Sequence, residues 1–162
     1  RSYANIFNFI PLTDEEIQWT IEEDFQVADT QLASVLEDEN GRIVGFAFCL
    51  PSLSQALRKA NGRLFPGGGW YHVVKALRKN KYVDMYLTGV LPEYMHTGIH
   101  VLYHKQLHEN FIAKGYEYAF TAQQLETNVA SHIWKKYETE PYFRRRCYRK
   151  DIDNAQCTMH NA

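Results

Sequence analysis

Apolar and polar positions follow a helical period in LTDEEIQWTIEEDF, near the start of the chain. Thr13 and Glu16 have capping-box spacing, and Asp14, Glu15 and Glu16 place negative charge where a helix N-terminus favours it. A helix is predicted at about 14–24. The period then changes. In LASVLEDENGRIVGFAFCL two apolar runs flank Asn40-Gly41, residues that both tolerate positive φ. This predicts a hairpin with strands at roughly 32–38 and 42–50, the second closed by Pro51.

Residues 52–81 are less regular. SLSQALRKANG reads as a short helix stopped by Gly62, FPGGGW as a turn, and WYHVVKALRKNK as a second short helix. The connection either shapes a substrate mouth or is a plain insertion, and it gives no hint of acceptor chemistry. Beyond it the pattern predicts a strand (82–90), a tight loop, a helix (about 98–114) ended by Gly115, and a strand (116–123). That is a βαβ unit, which implies a parallel pair. A short helix at about 128–138 and a strand at about 142–150 follow, and the tail 151–162 lacks periodicity and reads as loose. This order predicts an α/β (α+β) fold in one domain over 1–150, with a mixed sheet covered by helices on both faces.

A length of 162 residues suits one domain with a full core. The formal net charge of −1 argues against nucleic acid and against a membrane surface as partners. No apolar run reaches the length of a membrane span. Cys49, Cys147 and Cys157 are odd in number and far apart, without metal-ligand spacing, which points to reduced thiols in a cytoplasmic protein and to no metal. The chain opens on Arg1, and RSYANIFNFI already reads as packed structure. A fragment of a longer polypeptide, or a trimmed product, is the expectation, which the resemblance described below narrows to a chain with an N-terminal domain ahead of this one.

The most informative stretch is LTGVLPEYMHTGIHVLYHKQL, where a strand turns into a helix near Gly98. A helix N-terminus presents free amides and favours anions, and glycine allows close approach of a phosphate. A diphosphate fits the amides of about 96–100; a simple strand-to-helix turn with a convenient glycine is the competing reading.

Val90, Pro92, Met95, Gly98 and His100 fall on the pattern V-x-P-x-x-[Q/R]-x-x-G-x-[G/A] that opens a helix in the GNAT superfamily of N-acetyltransferases, which this chain resembles over nearly its whole length. The hairpin LASVLEDENGRIVGFAFCLP looks like that fold's second and third strands, and LETNVASHIWKKYE like the segment after its fifth strand. QALRKANGRLFPGGGW resembles an insertion of a poorly characterised subgroup. Two positions depart from the pattern: Met95 stands where Gln or Arg is usual, and His100 where a small residue is usual. His100 either crowds a diphosphate or, protonated, replaces the missing cation.

The resemblance implies a mostly antiparallel sheet with a central parallel βαβ unit. It also implies acetyl-CoA as co-substrate and transfer of acetyl to a small-molecule or peptide amine by direct attack. It places the cofactor on Thr88, Gly89, Val90, Met95, His96, Thr97, Gly98, Ile99 and His100, with Asn128 bonding the pantetheine arm or merely capping its helix. The strand 82–90 would part from its neighbour to admit that arm, with Gly89 either allowing a bulge or serving only to pack. A base must deprotonate the ammonium, and Asp84 is the first candidate, with Glu37, Glu126 and His132 behind it. Tyr137 is the candidate acid for the departing thiolate, although the family spacing falls two positions earlier. A decayed GNAT fold serving as a binding or sensor module is the alternative, and Met95 and His100 are its support.

Three other features carry competing readings. His96, His100, His104 and His108 recur every four residues, and the last three form one helical stripe, read here as a solvated flank. Arg144, Arg145 and Arg146 read as surface charge on an edge strand rather than as a nucleic-acid site. Phe65, Trp70 and Tyr71 either line an acceptor pocket or plug the insertion down.

Overall fold

The structure, a computed structural model, describes residues 10–24, 28–126, 128–146 and 148. The chain separates into two compact units, Arg1–Gln123 and Gln124–Ala162.

The first unit begins with α1 (Asp14–Asp24). Its capping box is formed: the Thr13 amide donates to Glu16 Oε2 at 2.8 Å and the Glu16 amide to Thr13 Oγ1 at 3.3 Å. These bonds hold the Glu16 carboxyl below its usual range. A 3₁₀ turn (Thr30–Leu32) leads into β1 (Ala33–Glu37), which pairs antiparallel with β2 (Ile43–Pro51). The hairpin is where the sequence placed it, but its turn is built differently. Among the described residues Asn61 is the sole non-glycine with positive φ, so Asn40 does not take that conformation and Gly41 alone does, at 74°. The Asp38 carboxylate organises the loop by accepting from the amides of Asn40 (2.9 Å) and Arg42 (3.0 Å). An Asx-type turn has replaced the two-residue turn.

β2 pairs antiparallel with β3 (Tyr82–Val90), and β3 pairs parallel with β4 (Tyr118–Thr121), giving the order β1-β2-β3-β4. The connection from β3 to β4 is α4 (His100–Ala113), ended by Gly115 at φ 76°. The expected mixed α/β sheet with a parallel βαβ unit is thus present. α4 lies across one face of the sheet: Ser34 Oγ donates to Gln106 Oε1 at 2.8 Å, and Asn110 Nδ2 to the Gln31 carbonyl at 2.8 Å. Lys114 Nζ sits 2.6 Å from Asp29 Oδ2 and keeps that carboxyl below its usual range. The core beneath α4 holds Leu32, Ala47, Cys49, Val83, Tyr103, Leu107 and Phe111.

The histidine stripe is not a solvated flank throughout. His104 is buried among those side chains, while the apolar Leu102 on the same helix is exposed. Burial, with the His100 charge adding to it, pushes the His104 imidazole down to about 4.

The insertion is a helical hairpin of α2 (Ser54–Lys59) and α3 (Gly69–Arg78). Gly62, at φ 71°, ends the first helix with its amide on the Leu57 carbonyl at 3.1 Å. Gly69 is required by contact rather than by torsion, since a Cβ there would lie 2.0 Å from the Arg63 carbonyl oxygen and 2.9 Å from Ala60 Cβ. The hairpin's base is laced back to the sheet: Asn80 Nδ2 donates to the Ser52 carbonyl at 2.7 Å, and Asn80 Oδ1 accepts from the Tyr82 amide at 3.0 Å.

In the second unit a 3₁₀ helix (Val129–Lys136) stands where an α-helix was expected. Residues 142–146 and 148 form no strand, and the rest of the strand predicted at 142–150, with the tail 151–162, lies outside the described residues. Arg144–Arg146 are therefore exposed charges on irregular backbone, with Arg145 4.7 Å above the Phe143 ring and Arg144 Nε 3.5 Å from Glu126. Among the described residues no helix is long and apolar enough to cross a membrane.

Two outcomes follow from this packing. Gly69→Ala should destabilise the protein by about 2–3 kcal/mol in urea melts, because its new methyl meets backbone that cannot retreat, whereas Gly67→Ala, with nothing within 4 Å, should show only the backbone cost of its positive φ. His104 is neutral when folded and charges readily when unfolded. Its contribution is therefore complete above the unfolded value of 6.5 and is lost as pH falls towards about 4. That loss should be on the order of 3 kcal/mol, and His104→Leu should flatten the stability profile across that window.

Candidate functional site

β3 positions the site, because its two edges end at different places. Its ladder with β2 runs its whole length, from Pro51↔Val83 to Gly45↔Val90. Its ladder with β4 ends at Met85↔Thr121, closed by the Ala122 amide on the Met85 carbonyl at 3.2 Å. From there β3 continues to Val90, about 16 Å further at strand rise. β4 ends at that point, while β3 runs on. A cavity of about 200 Å³ lies there, lined by Asp84, Met85, Tyr86, Phe120, Thr121 and Ala122.

The register also slips at this point: Phe48 opposes Leu87 and Cys49 opposes Met85, leaving Tyr86 as an extra residue. The bulge anticipated at Gly89 is therefore at Tyr86, and Gly89 sits in regular register with Phe46. A bulge re-aims neighbouring side chains and breaks the pleat, which suits a strand leaving its partner. Beyond it Thr88 and Val90 pair with Ala47 and Gly45, while Ser34 and Leu36 occupy the facing positions on β1. Because Ser34 bonds α4, Thr88 and Val90 stand on the α4 side of the sheet.

Asp84 is half-buried on the opposite face, in register with Leu50 and Phe120. Burial raises its carboxyl above the usual range, and a hydrogen bond with Ser52 opposes that shift. A carboxylate so raised is a better proton acceptor. Glu37, by contrast, is exposed beside the β1–β2 turn.

After β3 the chain is pinned by the Leu91 amide on the Val44 carbonyl (2.9 Å) and by the Arg42–Glu93 ion pair (2.7 Å). A 3₁₀ turn (Pro92–Tyr94) follows. Within the expected phosphate cradle the amides divide into two sets. Those of Met95 and Thr97 are spent on the carbonyls of Pro92 (3.3 Å) and Tyr94 (3.2 Å). Among the described residues nothing accepts from the amides of His96, Gly98, Ile99 and His100. Gly98 is left-handed at φ 78° and Ile99 right-handed at φ −56°, the left-then-right order of a backbone nest, a geometry that suits an anion at the start of α4. A Cβ at Gly98 would meet nothing within 4 Å, so the glycine is there for its torsion and not for contact. Ile99 caps α4 without a side-chain hydrogen bond, so no side chain of the loop fills the nest as a cap. Met95 is exposed, and the His100 ring stands 6.2 Å from that of His104.

Asn128 and Tyr137 belong to the second unit. The Asn128 carbonyl accepts from the Ser131 amide (2.9 Å) and hydroxyl (2.6 Å), so it stands at the cap position. Tyr137 is half-exposed, its ring 6.0 Å from Trp134. The side chain of His132 lies outside the described residues. Among the described residues no three His, Cys, Asp or Glu side chains gather as metal ligands.

One feature of the sequence bears on the site and escapes motif reading. Residues 52–81 contain no Asp or Glu but seven Lys and Arg. α2 and α3 bring Lys59, Asn61, Arg63 and His72 to one cavity of about 470 Å³. The insertion thus does carry a chemical signal, legible as local charge.

No protein-family model matches the chain, and no curated protein matches it. Solved structures do. An acetyltransferase of Trypanosoma brucei is 16% identical with a TM-score of 0.52, over 93% of this chain and 88% of that one. The aminoglycoside N-acetyltransferase AAC(6')-Iy, solved in complex with CoA, is 17% identical with a TM-score of 0.52, over 85% of this chain and 88% of that one. A ribosomal-protein-alanine N-acetyltransferase of Brucella melitensis biovar Abortus 2308 is 13% identical with a TM-score of 0.51, over 86% and 82%. With the unequal strand ends and the glycine nest, these likenesses show that the chain has the fold of the GNAT acetyltransferases.

Proposed function

We propose that the protein is an acyl-CoA-dependent N-acyltransferase acting on a small-molecule or peptide amine. The observation that carries this is the end of the parallel ladder at Met85–Thr121, while β3 runs on to a glycine turn whose amides at Gly98, Ile99 and His100 have no acceptor among the described residues. The likeness to an N-acetyltransferase solved with CoA supports it.

The residues fit the cofactor. The amides of Gly98, Ile99 and His100 would hold the diphosphate. The backbone of Thr88, Gly89 and Val90 would hold the amide-bearing pantetheine arm along β3. Acetyl-CoA supplies an acyl group activated as a thioester. Asp84, at the cavity where β4 ends, takes the proton from the acceptor ammonium, directly or through water, and leaves a free amine to form the new C–N bond as the C–S bond breaks. Because its carboxyl is raised, activity falls as pH drops through that raised value. A buried Cys49, its thiol pushed up to about 12, is inert to this chemistry and suits a cytoplasmic setting.

The exposed Met95, where Gln or Arg is usual, favours one other reading: a binding or sensor module that keeps the loop without turnover. Thermal melting with acetyl-CoA distinguishes the two when followed by an acetylation assay. At one hundred times its dissociation constant the cofactor should add about 2.7 kcal/mol. Gly98→Asp should abolish that gain by setting a carboxylate against phosphate, and Met95→Arg should enlarge it. No gain at millimolar acetyl-CoA would overturn the enzyme reading, and a gain without acetyl transfer to any amine would favour the module. Asp84→Asn should lower kcat by roughly 10²–10⁴ with cofactor affinity retained; an unchanged kcat would remove Asp84 from the mechanism.

A further inference from the structure

The segment from Ser52 to Lys81 holds Arg58, Lys59, Arg63, Lys75, Arg78, Lys79 and Lys81 and no acidic residue, in a chain whose formal net charge is −1. Its fold concentrates part of that charge. The cavity of about 470 Å³ between α2 and α3 has Lys59, Arg63 and His72 on its walls, with Asn61 as a neutral donor and Gly67 and Gly69 as backbone floor. Lys59 and Arg63 are exposed, and among the described residues no carboxylate lies within 4.0 Å of either. Like charges around one concavity raise its potential, and an anion relieves it. The tight packing of Gly69 against the Arg63 carbonyl fixes the wall from which the Arg63 side chain springs.

The cavity is also tied to the candidate active site. Ser52, which bonds Asp84, accepts from Asn80 at the end of the hairpin. Even at full extension, the two residues from Ser52 to Ser54 and the rise of α2 put Lys59 no more than about 15 Å from Ser52. A small molecule can span that distance.

We propose that this cleft receives the carboxylate or phosphate group of the amine acceptor, so that the substrate is an anionic or zwitterionic amine held by its acid group while its nitrogen reaches the cavity beside Asp84. The inference rests on the acyltransferase reading and narrows its substrate class. Lys59 and Arg63 supply the charge, Asn61 and His72 the orienting hydrogen bonds. Arg63 is suited to grip either oxyanion in a bidentate fashion.

The test pairs steady-state kinetics with direct binding on the full chain. Acetyl transfer from acetyl-CoA is measured for free amino acids and for the same amino acids as C-terminal amides, and for an amino sugar with and without a phosphate. The acid or phosphate form should have a KM at least tenfold lower. The double variant Lys59→Gln/Arg63→Gln, checked for folding by circular dichroism, should reduce that preference to within twofold, and Arg63→Lys should restore part of it. In parallel, inorganic phosphate and acetate are titrated while the His72 ring is followed by NMR; saturable shifts that vanish in the double variant are expected. Which of the two anions saturates at lower concentration separates carboxylate from phosphate. Equal KM for charged and neutral forms, an unchanged preference in the double variant, or a flat titration would overturn the proposal. So would a double variant that loses acetyl-CoA affinity, which would assign the cleft to the cofactor's own phosphates. Tight, steeply salt-dependent binding of a single-stranded oligonucleotide lost in the same variant would overturn it in favour of nucleic acid. Failure of the acyltransferase reading appears separately, as no stabilisation of the wild-type protein by acetyl-CoA.

Discussion

A strand hydrogen-bonded on both edges cannot accept a ligand, and a strand bonded on neither has no fixed position. β3 satisfies both requirements in sequence. For its first half it is held between β2 and β4; for its second half the ladder with β2 continues, through Phe48↔Leu87 to Gly45↔Val90, while the ladder with β4 has ended. Tyr86, the extra residue, marks the change. An edge strand is a template for pairing with any extended chain bearing amides. In a globular protein that liability is tolerated where it is used, and a pantetheine arm has the donors and acceptors to use it.

The nest works only if α4 points at the end of that edge. Its direction is set far from the loop. Ser34 and Gln31 grip the helix at Gln106 and Asn110, and Asp29 grips Lys114 just after its end. Tyr103, His104, Leu107 and Phe111 bury its inner face. The neutral His104 belongs to this clamp: a charged imidazole there would draw water into the packing directly behind His100. The rigidity of the helix and the openness of its first turn are thus separate properties, carried by different residues. The loop can therefore expose three amides without loosening the fold.

Much of this was legible in the sequence because it depends on local signals. The capping box at Thr13, the apolar runs either side of Asn40-Gly41 and the glycine stops at Gly62 and Gly115 each act within a few residues, and each appears where the pattern put it. What escaped depends on partners distant in the chain. Nothing near Tyr86 announces a bulge, because the bulge is a relation between β3 and β2. His104 looked like a member of a polar stripe, since its burial is decided by the sheet under α4 and not by its neighbours on the helix. Asp38 took over the hairpin turn because a carboxylate that can bond two amides competes with the conformational preference of Asn40. Of the strand expected at about 142–150, residues 142–146 and 148 form none.

Met95 and His100 look like damage to the cofactor loop when it is read as a motif, yet the geometry separates what the motif combines. A cradle made of amides does not depend on side-chain identity so long as Gly98 can take its left-handed conformation, and that glycine is present. The Arg or Gln usual at position 95 adds a donor, charged where it is Arg, on an exposed surface where water and salt screen it. On the proposed reading, its loss costs strength and not the cradle. His100 occupies the small-residue position, but its amide, not its ring, is what the nest requires, and the ring has a neighbour in His104. The departures are therefore changes in the strength of one interaction. The unequal strand ends and the amides of the nest, which no single side chain supplies, are retained.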